Sequence, residues 1–137
     1  MKKIEATIDF KASVETVYQT VTNNEEFSWR NDLDRIEITS DKQFIEYSKS
    51  GIATKMTITT KLLNVQYEFD LDSKNYMGHW YGQFAPTPDG GCRLHMIEYI
   101  EIKSRLLRPL SIFMNVKKIQ DQYITDLKTY LHEETSF

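Results

Sequence analysis

Cys92 is the only cysteine in the chain, which excludes an internal disulfide framework and any cysteine-based zinc site. The three histidines, His79, His95 and His132, include no pair at a ligating spacing such as His-x-x-x-His, so no metal is expected. A Gly-rich phosphate loop, a nucleophile elbow and a Cys/His dyad are all missing. Pro86-Thr87-Pro88-Asp89-Gly90-Gly91 is a turn, not a phosphate cradle, and no cofactor is implied. Long apolar runs are missing as well. The longest, over residues 106–116, is broken by Arg108, Pro109 and Asn115, so no membrane span is expected. Nor is there an excess of positive charge: the net charge of −3, with Lys and Glu interspersed, leaves no footprint for nucleic acid. Met1-Lys2-Lys3 passes straight into an alternating strand rather than an apolar signal core, which makes the cytoplasm the expected compartment.

What is present is the composition of a globular domain with aromatics at 12%, enough for a thick core or a lined pocket. The 137 residues form one expected domain, 1–137, without linker or repeat. Residues 3–11 alternate Ile4, Ala6, Ile8 and Phe10 against Lys3, Glu5, Thr7 and Asp9, the period of a strand. Ser13 then reads as the N-cap of a helix with Val14, Val17, Tyr18 and Val21 as its apolar stripe, ended by Asn23-Asn24. A second short helix is expected near residues 25–29, carrying Phe27 and Trp29 to the core.

From Leu33 onward six strands follow, and the shortest plausible turns predict their pairing. Asp41-Lys42 sets Ile38 opposite Ile45 and Ile36 opposite Tyr47, and Ser50-Gly51 sets Tyr47 opposite Thr54 and Ile45 opposite Met56. Leu63-Asn64 sets Met56 opposite Leu71 and Ile58 opposite Phe69, and Ser73-Lys74 sets Leu71 opposite Tyr76 and Tyr67 opposite Trp80. The loop at 85–91 then brings Trp80 against Met96 and Gly78 against Glu98. One face is apolar throughout; the other carries Glu37, Glu46, Lys55 and Asp72. A last helix, expected over 110–133 with a break or kink near Pro109, presents Ile112, Val116, Ile119, Tyr123, Leu127 and Tyr130 as a stripe flanked by Gln120.

The opening Ile8-Asp9-Phe10-Lys11-Ala12-Ser13-Val14-Glu15-Thr16-Val17-Tyr18, then Trp29-Arg30-Asn31-Asp32-Leu33, Gly78-His79-Trp80-Tyr81-Gly82, and Gln120, Tyr123, Asp126 and Leu127 carry a resemblance. Over its whole length the chain resembles the START/Bet v 1-like (SRPBCC) superfamily, and within it the small bacterial polyketide cyclase/dehydrase-like proteins. The resemblance implies an α+β helix-grip fold. A curved antiparallel seven-stranded sheet would wrap around the long C-terminal helix, with two short helices after the first strand. It also implies a cavity, since members bind lipids, sterols or hormones, cyclise polyketides, or serve as Hsp90 co-chaperone modules; it does not imply an activity.

Glu98 is the sharpest candidate for chemistry, the one charged residue expected on the inner face, with room beside it at Gly78. A lone buried carboxylate must raise its pKa or find a partner, such as Arg30, Arg105 or a tyrosine. Gly78 and Gly82 flank Trp80 and suit a bend as well as added cavity volume. The residues expected to line a ligand are Tyr47, Met56, Ile58, Tyr67, Phe69, Tyr76, Gly78, Trp80, Met96, Glu98, Val116, Gln120 and Tyr123. The leading expectation is binding of a small apolar or amphipathic molecule: a lipid, an isoprenoid or a polyketide-like ring system. Two alternatives stay open. One is a cyclase/dehydratase-type enzyme with Glu98 as acid/base. The other is an Hsp90-activator-like module working through outer-face Phe44, Met77, Tyr81, Ile97 and Tyr99.

Overall fold

A computed structural model describes residues 2–103 and 109–133. The first strand, β1 (Lys2–Phe10), leads into helix α1 (Val14–Thr22). Ser13 caps α1: its backbone is extended, and its Oγ accepts from the Thr16 amide at 3.2 Å. Val14, Val17, Tyr18 and Val21 are the buried face, as their spacing predicts. The second short helix does not form. Residues 24–32 are turns, closed by the Arg30 amide on the Phe27 carbonyl at 2.9 Å.

Strands β2 (Leu33–Ile38), β3 (Gln43–Ser48), β4 (Ala53–Leu62), β5 (Gln66–Asp72), β6 (Tyr76–Pro86) and β7 (Cys92–Ile102) follow, and then α2 (Pro109–Tyr130). The sheet is antiparallel throughout in the order β1-β7-β6-β5-β4-β3-β2. This is the seven-stranded helix-grip arrangement. Pro109 opens α2 instead of kinking it, a place where its missing N–H costs no hydrogen bond. The helix stops at Tyr130, and His132 just beyond it takes a left-handed φ of 58°. Neither described helix is long and apolar enough to cross a membrane.

Register is where the turns correct the simple pairing. The β2–β3 and β3–β4 turns each hold three residues, not two, so Ile38 faces Phe44 and Phe44 faces Met56. Gly51, at φ +90°, supplies the left-handed residue such a three-residue turn uses. Each turn adds one residue, and the two shifts cancel: β2 and β4 keep their predicted faces while β3 between them is inverted. A third three-residue turn, through Asn64 at φ 62°, is absorbed by a bulge between Ile58 and Thr60. The β5–β6 and β6–β7 pairs slide by two residues, which preserves faces: Phe69 lies opposite Trp80, and Trp80 opposite Glu98.

Gly78 is therefore not the neighbour across from Glu98. A Cβ there would stand 2.0 Å from the Tyr99 carbonyl oxygen, so its role is the close backbone approach of a sharply curved sheet. At Gly82 a Cβ would meet the Trp80 ring at 2.5 Å, because the indole lies over that glycine.

Helix α2 crosses the concave face in two adjoining rows of side chains. Val116, Gln120, Ile124 and Leu127 are buried, Val116 against Ile4 and Ile100, and Ile124 and Leu127 in the main core with Phe10, Leu94 and Met96. Burying each of these aliphatic side chains stabilises the helix seat by roughly 1.5–3 kcal/mol. Ile119 and Tyr130, expected in the stripe, are exposed, and Lys128 is buried. Lys128 Nζ donates to the Asp9 carbonyl oxygen and lies 4.4 Å from the Phe10 ring centre. Asp126 is 2% exposed and accepts from the Asn31 amide at 2.8 Å, Asn31 Nδ2 at 2.6 Å and Gln122 Nε2 at 2.7 Å. That carboxylate fastens the loop after α1 onto the helix.

Candidate functional site

The strands nearest β1 hold α2 close, and those on the far side curl away from it. Between them lies a cavity of about 430 Å³. That size falls within the range of roughly 300–1,000 Å³ typical of small-molecule sites. From α2 the second row, Ile112, Asn115, Ile119 and Tyr123, lines it together with Gln120. An aromatic wall faces them. Phe69 and Trp80 stack with centroids 5.2 Å apart and planes at 5°, and Tyr67 stands edge-on to both. Met56, Leu71 and Phe44 complete the apolar side.

Of the residues expected to line a ligand, Met56, Tyr67, Phe69, Tyr76, Trp80, Glu98, Gln120 and Tyr123 border this space. Ile58, Gly78, Met96 and Val116 do not border it. Ile58 packs against the neighbouring core, Met96 and Val116 are fully buried, and Gly78 is occupied by the Tyr99 backbone. Tyr47 belongs to the inverted strand and points outward, where its hydroxyl donates to Glu37 at 3.1 Å and Arg35 sits 3.9 Å over its ring. The same inversion takes Phe44 from the outer face to 3% exposure inside, leaving Met77 exposed and Tyr81, Ile97 and Tyr99 half-buried outside.

Inversion of β3 also turns Glu46 inward, so Glu98 is not the only charge on the concave side. Arg30 meets Glu46 through Nη1 at 3.3 Å and holds both oxygens of Asp32, through Nε and Nη2, at 3.0 Å each. Its guanidinium stacks 4.9 Å over the Tyr123 ring. Desolvation alone would favour losing its proton; the charges of Glu46 and Asp32 outweigh this and keep Arg30 protonated. Periodicity could not reveal this group, because β3 offers apolar residues at 44, 45 and 47 and so fits either face. The left-handed glycine at position 51 was the available signal.

Glu98 stands between Ile4 of β1 and Trp80 of β6. Burial, reinforced by the charge of Glu46 and only partly offset by Arg30, pushes its pKa up to about 7. Among the described residues none hydrogen-bonds to its carboxylate, and Arg105, an expected partner, lies outside them. Burial raises the hydroxyls of Tyr76, Tyr123 and Tyr67 as well, the last to about 12, so none ionises near neutral pH. Asn24 Nδ2 donates to the Tyr67 hydroxyl at 3.4 Å. Gln120 is different: it is 5% exposed, and neither amide atom has a partner among the described residues. A buried amide without a described partner, on a residue that borders a cavity, is what a ligand with hydrogen-bonding groups would satisfy.

His79 and His95 lie on the convex face. His79 bonds Glu68 and Asp70 at 2.7 Å each, and His95 bonds Glu5 at 2.5 Å, cross-strand hydrogen bonds of the outer surface rather than a reactive centre.

No protein-family model and no curated protein sequence matches the chain. Solved structures do. A START superfamily protein from Mycobacterium smegmatis superposes with a TM-score of 0.75 at 16% identity, covering 94% of this chain and 93% of that one. A conserved protein from Geobacillus kaustophilus gives a TM-score of 0.84 at 10% identity, covering 96% and 95%. The structure of Ara h 8.0201 gives 0.76 at 12% identity, covering 94% and 96%. The chain has the START/Bet v 1-like fold.

Proposed function

We propose that this protein binds a small apolar or amphipathic molecule, of lipid, isoprenoid or polyketide-like character, in the cavity between the concave sheet and α2. The observation that carries the reading is the hollow of about 430 Å³ with the partnerless Gln120 amide in its wall. A core packed only for stability would fill that space, since protein interiors approach crystalline density. Affinity comes from the apolar surface of Phe69, Trp80, Met56 and Ile112, at roughly 25 cal/mol for each Å² removed from water. Orientation comes from Glu98 and Gln120.

Native mass spectrometry of protein from its own host, and titration with the neutral fluorophore N-phenylnaphthylamine, test this. Bound small-molecule mass or saturable dye binding to the folded chain is expected. Ile119→Trp, at the half-open rim, should block dye entry while leaving the fold intact. An unliganded mass together with no dye binding would end the reading.

One observation favours a second reading, proton transfer to a bound carbonyl compound. A carboxyl poised near neutrality borders the same cavity as the neutral Tyr76 hydroxyl. Glu98→Gln would then abolish turnover while ligand stays bound; unchanged turnover removes that reading.

A further inference from the structure

Resting on the binding reading above, we infer that the cavity selects an amphipathic cation, an apolar molecule bearing a protonated amine, over a fatty-acid-like anion or a neutral alcohol. The charges in the wall are Asp32, Glu46 and Glu98 against Arg30 and Lys49. Lys49 stands exposed on the β3–β4 turn, where water and salt screen it. Arg30, its side chain only 11% exposed, is already committed: Nε and Nη2 to the two oxygens of Asp32, Nη1 to Glu46 Oε2. Among the described residues the interior thus holds three carboxylates and one guanidinium, which gives three of its five N–H donors to two of them.

Glu98 and the second oxygen of Glu46 are left facing the same space with no described cation between them. A guest carboxylate would add a fourth negative charge beside these three, with Arg30 already shared between Asp32 and Glu46, and burying charge without its own counter-ion is costly. A guest ammonium supplies the missing positive charge and three N–H donors. Gln120, which borders the cavity, adds an acceptor, Oε1, for one of those donors, as its Nε2 would donate to any guest acceptor.

The test is displacement of N-phenylnaphthylamine from the full chain by octylammonium, octanol and octanoate, at low salt and about pH 8, where the amine is still charged. Octylammonium should displace the dye at least about tenfold better than octanoate, and better than octanol, as a charge-assisted bond requires. Glu98→Gln should weaken octylammonium about tenfold and leave octanol unchanged. Octanoate or octanol competing as well as octylammonium overturns the inference while the cavity reading stands; so does dye binding that none of the three displaces, or an equal loss of amine and alcohol in Glu98→Gln. No dye binding at all overturns both.

Discussion

Arg30 and Glu46 meet across the cavity wall, Nη1 to Oε2 at 3.3 Å, joining the loop after α1 to the middle of β3. Each also acts on Glu98, in opposite directions: the Glu46 charge raises its pKa and the Arg30 charge lowers it. Glu46→Gln should therefore bring the Glu98 pKa down from about 7, and Arg30→Met should send it higher. Carboxyl-detected NMR titration of Glu98 in the two variants reads both directions. Shifts of the same sign in both would mean that the coupling has been misassigned.

Stability should carry the same signature. The folded state holds the Glu98 proton up to about 7, against an ordinary 4.5, so between those values the folded chain binds a proton that the unfolded chain has released. Stability then falls as pH rises through that window and levels off above it, by up to about 3 kcal/mol. Glu98→Gln removes the dependence and should make the protein more stable than wild type at about pH 8, though not at about pH 4. Urea unfolding at the two pH values settles it.

The two strand glycines should respond differently to a methyl group. Gly78→Ala drives a Cβ into the Tyr99 carbonyl, backbone that cannot move alone, and should cost roughly 2 kcal/mol or more. Gly82→Ala meets only the Trp80 ring, which has the cavity to move into. Its expected effect is smaller in stability and larger at the indole. The Trp80 side-chain N–H resonance, followed alongside thermal unfolding, tells the two apart; equal destabilisation without an indole shift counts against this account.

Gln120→Leu replaces a partnerless buried amide by an apolar group of similar size. The ligand-free protein should gain about 1–3 kcal/mol, since the cost of an unsatisfied polar pair is removed. Binding of a hydrogen-bonding guest should weaken at the same time. A variant less stable than wild type would show that the amide has a partner after all.

Much of the site was legible because face assignment survives errors of two residues. Tyr67, Phe69, Trp80 and Glu98 reach the concave side whether β5, β6 and β7 pair as the shortest turns predict or two residues further along. Tyr47 and Phe44 exchanged places because a one-residue change in turn length inverts a whole strand, and β3 carries apolar residues on both faces. Along α2, a helical period identifies a stripe but not its centre. The buried row through Ile124 and Leu127 is rotated from the expected one toward β1, where Ile4, Ile100 and Phe10 wait.

Local chemistry in the chain by itself determined the strand and helix periods, the Ser13 cap, the antiparallel sheet and a long closing helix, since each depends on neighbours a few residues apart. Tertiary structure decided that the helix stands off from the far strands and leaves a hollow. It also decided that Arg30 is claimed by Asp32 and Glu46, and that Glu98 is left without a described cation. Those outcomes depend on the curvature of the whole sheet and on the charges of Arg30, Glu46 and Glu98, brought together from 16 to 68 positions apart, which no local period encodes.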